Sequence, residues 1–111
     1  MTERAEFARC REYGKSRPGR YLVLSVLHEA ELDHFRTGFI TTKKVGKAHQ
    51  RNLLRRRFRA IIQKHGERID SHYYIVTIAR WRAIEASFAE LEADWLKQAK
   101  KLGVINSEQK A

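Results

Sequence analysis

The sequence predicts an α+β domain in which helices pack on a small sheet. Two segments place apolar residues at helical spacing, and three runs dense in β-branched and aromatic residues read as strands. The length of 111 residues suits one modest core, so a single domain over residues 1–111 is expected.

Residues 3 to 13 can form a short helix that turns Phe7, Cys10 and Ala5 toward a core. Gly14 to Arg20 holds the only proline, Pro18, and reads as a loop. Tyr21 to Leu27 reads as a largely buried strand, and the polar, acidic stretch His28 to His34 connects it onward. Phe35 to Thr42 is the second strand, with Gly38 suggesting a bulge or a close backbone approach. Leu54, Phe58, Ile61, Ile62 and His65 then recur on one stripe of a helix, which Gly66 ends as a C′ residue. Tyr73 to Ala79 is the third strand. Ser87 and Glu90 form a capping box for a last helix carrying Phe88, Leu91, Trp95, Ala99 and Leu102, with Gly103 beyond it. The tail from about residue 106 is expected to fray.

Charge is the dominant number. The chain carries 23 Lys and Arg against 13 Asp and Glu, a formal net charge of +10. From His34 through Gly66 there are ten basic residues and no acidic one. Arg51, Arg55 and Arg59 are successive i,i+4 neighbours of like charge, an arrangement that weakens a helix by a few tenths of a kcal/mol per pair. Cations are also disfavoured near a helix N-terminus. Bound phosphates would reverse both penalties. With Leu54 set at zero and about 100° advanced per residue, Asn52, Arg55, Arg56 and Arg59 share a face turned away from the apolar stripe. Guanidinium forks match phosphate oxygens, and Asn52 can reach a sugar or base edge. A polyanion, nucleic acid before membrane, is the expected partner.

Other classes find little support. The five histidines form no metal-binding or catalytic pattern, and Glu90, Glu92 and Asp94 sit among Ala, Leu and Trp with capping and solubility roles. His65 is expected near the carbonyl end of its helix. Trp81 and Trp95 are expected in the core, which is also the default for Tyr13, Tyr21, Phe39, Tyr73 and Tyr74. No apolar run reaches the roughly 20 residues of a membrane span. A lone cysteine and the absence of an apolar leader sequence fit a cytoplasmic protein. These residues point to a chain that binds RNA without cutting it.

The segment from Lys43 to Arg59, KKVGKAHQRNLLRRRFR, resembles the signature of the bacterial ribonuclease P protein subunit, roughly K-K-x-G-x-A-x-x-R-N-R-x-K-R-x-x-R. Arg36-Thr37-Gly38 upstream, Phe7 seven residues before Gly14, and Ile78-Ala79-Arg80 downstream extend the resemblance over about residues 5 to 102. It implies a four-stranded sheet in α-β-β-β-α-β-α order, one short strand more than the residues alone indicate, with a left-handed crossover around the basic helix.

The resemblance also implies a role in tRNA processing. The protein would be the accessory subunit of a ribonucleoprotein endonuclease whose catalytic RNA removes the 5′ leader from precursor tRNA. Magnesium would be held mainly by the RNA, with none bound by the protein alone. Arg36, Lys43, Lys44, Gly46, Lys47, Arg51, Asn52, Arg55, Arg56 and Arg59 would contact RNA, and Phe7 and Arg11 would line a cleft for the leader. The chain departs from the pattern at Leu53 and Lys47, where the family has arginine and asparagine, and at Arg55, where it has lysine. Arg11 and Ser25 stand where many members carry cleft aromatics. Two rival readings share the basic helix: an RNA-binding module of another ribonucleoprotein, such as a ribosome-associated protein, or a DNA-binding protein with that helix in the major groove.

Overall fold

A computed structural model describes residues 14–105. The helix expected over residues 3 to 13 and the tail expected to fray from about 106 lie outside them. Pairing begins earlier than the sequence suggests. Strand β1 (Lys15–Pro18) runs antiparallel to β2 (Leu22–His28), with Lys15 opposite Val26 and Pro18 opposite Val23. The stretch expected as a loop is therefore the short strand that the family resemblance required. It escapes notice because all four residues are exposed and none alternates apolar with polar. Proline is tolerated because β1 is an edge strand.

The remaining strands are β3 (Arg36–Ile40) and β4 (Tyr73–Ala79), giving a mixed sheet in the order β1-β2-β4-β3. β2 pairs antiparallel with β4 along its whole length, and β3 pairs parallel with it. Helix α1 (Ala48–His65) makes the crossover from β3 to β4, and α2 (Phe88–Leu102) follows β4. The β3–β4 register runs unbroken through Gly38, so that glycine marks no bulge; it is buried opposite Val76.

Both helices press on one face of the sheet. Leu54, Phe58 and Ile61 from α1 and Leu91, Trp95 and Ala99 from α2 join Leu22, Leu24, Val26 and Ile75 in one buried cluster. Trp95 is fully buried, and its indole N–H donates to Thr77 Oγ1 at 3.1 Å. The alternate residues, Tyr74 and Val76 with Leu27, Ile40 and Ile78, form a smaller cluster on the opposite face. Period-two alternation separates these two sets.

Three further expectations change. Gly66 is right-handed (φ −56°, ψ −35°) and opens a 3-10 turn, Gly66–Arg68, so it is not a left-handed stop. Gly103 is left-handed (φ 80°) and does end α2. Trp81 is not core: the 3-10 turn Trp81–Glu85 buries Ala83 and leaves Trp81 56% exposed. Glu92 and Asp94 do more than aid solubility. Asp94 is buried and accepts from the Tyr21 backbone N–H at 2.9 Å and from Gln98 Nε2 at 3.1 Å, tying α2 to the entry of β2. One Glu92 oxygen lies 2.8 Å from His65 Nε2 and 3.0 Å from Lys64 Nζ, joining the end of α1 to α2.

Candidate nucleic-acid interface

The approach to α1 is a loop fixed at several points. Val45 is buried and its N–H donates to the Thr42 carbonyl, which anchors the middle of the loop. Gln50 Oε1 accepts from the Lys47 N–H at 2.8 Å, half of a capping box. A Cβ on Gly46 would stand 2.6 Å from that same oxygen and 3.3 Å from Gln50 Cβ, so glycine permits the close approach. Arg51 Nη1 donates to the Gly46 carbonyl at 2.8 Å. Lys43, Lys44 and Lys47 are thus held on a defined turn with their side chains exposed.

Along α1 the apolar stripe faces the sheet, which carries the polar face outward. Asn52, Arg56 and Arg59 are exposed and Arg55 half-buried. Arg55 Nη1 donates to Asn52 Oδ1 at 3.1 Å, so the two act as one group. Arg59 lies over the Phe39 ring at 5.7 Å, and Phe39 in turn stacks on Phe58 at 6.0 Å, so the core orients this guanidinium. The Arg56 side chain makes no hydrogen bond or ion pair with a described residue. Among the described residues none of Arg51, Arg55, Arg56 and Arg59 pairs with a carboxylate. The first turn of α1 holds no acid, so its free N–H groups add to the positive field. What results is a rigid cationic ridge with bidentate donors at regular spacing, suited to the phosphates of a nucleic acid.

Not every expected residue belongs to this ridge. Arg36 lies at the opposite end of β3 and, by alternation, on the sheet face away from α1, opposite Tyr74. Leu53, standing at the family's arginine position, is 40% exposed. Phe7 and Arg11 lie outside the described residues. Ser25, at the cleft-aromatic position of β2, is buried and its hydroxyl accepts from Ser16 Oγ at 3.0 Å. Arg57, between the ridge arginines in sequence, instead donates to the Ala86 carbonyl at 3.0 Å and fastens α1 to the Trp81–Glu85 turn. Sequence spacing signals that difference, because Arg57 falls to the other side of the apolar stripe.

Among the described residues no cluster of three His, Cys, Asp or Glu could hold a metal ion. No helix among them is long and apolar enough to cross a membrane.

The Ribonuclease P family profile matches residues 1–103. The ribonuclease P protein component of Syntrophomonas wolfei is 36% identical over 100 residues, covering 90% of this chain and 83% of the relative. Among solved structures, the Staphylococcus aureus RNase P protein superposes with a TM-score of 0.87 at 29% identity, covering 96% of each chain. The Thermotoga maritima RNase P protein gives 0.81 at 28% identity, covering 91% of this chain and 94% of that one. A shared β-β-β-α-β-α framework, a basic crossover helix and a match over nearly the whole length lead to one conclusion: the chain belongs to the ribonuclease P protein family.

Proposed function

We propose that this chain serves as the protein subunit of ribonuclease P, assisting removal of the 5′ leader from precursor tRNA. The observation that carries the proposal is the outward face of α1, where Asn52, Arg55, Arg56 and Arg59 stand unneutralised by any described carboxylate. In this reading the ridge and the Lys43–Lys47 turn grip the catalytic RNA through its phosphates. The subunit is part of an endoribonuclease, and the RNA carries out the hydrolysis with magnesium held mainly by the RNA. Because Arg11 and Ser25 stand where many family members carry cleft aromatics, cations rather than stacking rings hold the leader. The protein's contribution is electrostatic: it lowers the repulsion between two polyanions, so the complex needs less free magnesium to form. A cytoplasmic location follows from that substrate.

Reconstitution tests this directly. The protein is mixed with ribonuclease P catalytic RNA and precursor tRNA at low magnesium, and leader removal is scored. Stimulation over RNA alone supports the proposal. Equal rates with and without protein, under conditions where the protein is folded, would sink it.

A further inference from the structure

At the end of the sheet where β3 and β4 both finish, a second group of cations shares that end with an exposed aromatic ring. The parallel register, with Ile40 beside Ile78, sends Lys43 and Lys44 off this end together with Arg80, Trp81 and Arg82. The turn before β2 is drawn to the same place. The Arg80 backbone N–H donates to the Tyr21 carbonyl at 2.9 Å, and Arg80 Nη1 donates to the Gly19 carbonyl at 2.9 Å, which seats exposed Arg20 nearby. Arg82 places its guanidinium 4.9 Å from the centre of the Trp81 ring. It covers one side of the indole, and with Trp81 56% exposed the rest remains open. Asp94 is buried and already engaged, which leaves Glu85 as the exposed acid on this turn.

From this geometry we infer that Trp81 and Arg82 form a stacking site for an unpaired RNA base, separate from the α1 ridge. An indole backed by a guanidinium, at a sheet end that carries further cations, is an arrangement suited to single-stranded nucleic acid, with the ring taking the base and the cations its flanking phosphates. The turn is tied down through Arg80 and through Arg57 on Ala86, so the platform needs no ordering when a base arrives. The inference rests on RNA being the partner.

The two tryptophans make the test clean, since Trp95 is fully buried and Trp81 is not. A short oligoadenylate should quench Trp81 emission and shield it from iodide, leaving the Trp95 contribution in place. Binding is followed independently by anisotropy of the labelled oligomer. Trp81→Ala should weaken it about tenfold with an unchanged salt slope, while Trp81→Phe should retain most of the affinity. An abasic ribose-phosphate oligomer of equal length should bind wild type and Trp81→Ala alike. Equal oligoadenylate affinity for wild type and Trp81→Ala, with Arg55→Ala/Arg56→Ala still weakened, would overturn the stacking site alone. Failure of the wild-type protein to bind any RNA would overturn the RNA reading and this inference with it.

Discussion

Helices α1 and α2 pack on the same face of the same sheet, yet their polar residues are used in opposite ways. α2 is finished at both ends. Ser87 Oγ accepts from the Glu90 N–H at 3.1 Å, Glu90 Oε1 accepts from the Ser87 N–H at 2.9 Å, and left-handed Gly103 closes the far end. Its acids reach beyond the helix, Asp94 to the entry of β2 and Glu92 to α1. α1 starts at Lys47 with no side-chain acceptor for its first N–H groups and no acid in its first turn, and it carries arginines down its outer face. One helix completes its bonds within the protein, whereas the other leaves donors and charge to be completed from outside. On the proposed function, stability and binding fall to different helices of one core.

The largest expected effect breaks the helix that serves the fold. Trp95→Ala removes a fully buried indole and leaves Thr77 Oγ1 without its donor, which should cost about 3–5 kcal/mol. Urea titration measures the loss. A change under about 1 kcal/mol would mean that α2 is not the structural helix.

Next comes the helix proposed to serve binding. Arg55→Ala with Arg56→Ala should lower RNA affinity about 10- to 100-fold, because two charge-assisted contacts to phosphate go. The log–log salt slope should become shallower by about 1.4 if both contacts are to single strands. Unfolding free energy should move by no more than about 0.5 kcal/mol, since neither side chain enters the buried cluster. If this pair unfolds the protein while RNA affinity per folded molecule holds, the division between the helices fails.

Smaller again is the contrast between the two N-termini. Ser87→Ala should cost about 1 kcal/mol, as loss of a serine cap usually does. Gln50→Ala removes only the acceptor for the Lys47 N–H at an exposed helix start, so its thermodynamic cost should be smaller. The Gln50 variant should instead lower RNA affinity by loosening the Lys43–Lys47 turn. Equal stability losses with unchanged RNA binding would show that both ends are merely capped.

The same division explains how much was legible in the sequence. α2 and β4 were readable to the residue, since each has periodicity bounded by its own signals, Ser87 and Gly103 for α2. The outward face of α1 was legible because a buried stripe fixes the direction of everything opposite it. β1 was not, because an exposed edge strand has no apolar alternation and its pairing partner is specified by β2. Trp81 was misplaced because its hydrophobicity points inward while a 3-10 turn, set by buried Ala83, carries it outward. The Arg57 and Arg51 backbone contacts depend on where distant carbonyls lie, which spacing alone does not encode.

The smallest expected effect lies at the ionic link between the two helices, where Lys64 and His65 of α1 meet Glu92 of α2. Hydrogen bonds from His65 and then Lys64 hold the Glu92 carboxyl below its ordinary value of 4.5, against a smaller opposing effect of burial. A carboxyl depressed in the folded state stabilises that state fully above its unfolded value, and the contribution fades as pH falls through the lower, folded value. Glu92→Gln should therefore be less stable than wild type at neutral pH by no more than about 1 kcal/mol, since Lys64 is largely in water. That gap should close as pH drops below about 4.5. Denaturant titrations of both proteins at neutral and acidic pH measure it. Because the link sits at the far end of α1 from the Lys43–Lys47 turn, RNA affinity at neutral pH should be the same in both. A gap that persists unchanged in acid would show that Glu92 acts by packing rather than by charge, and an affinity loss would show that the two helices are coupled.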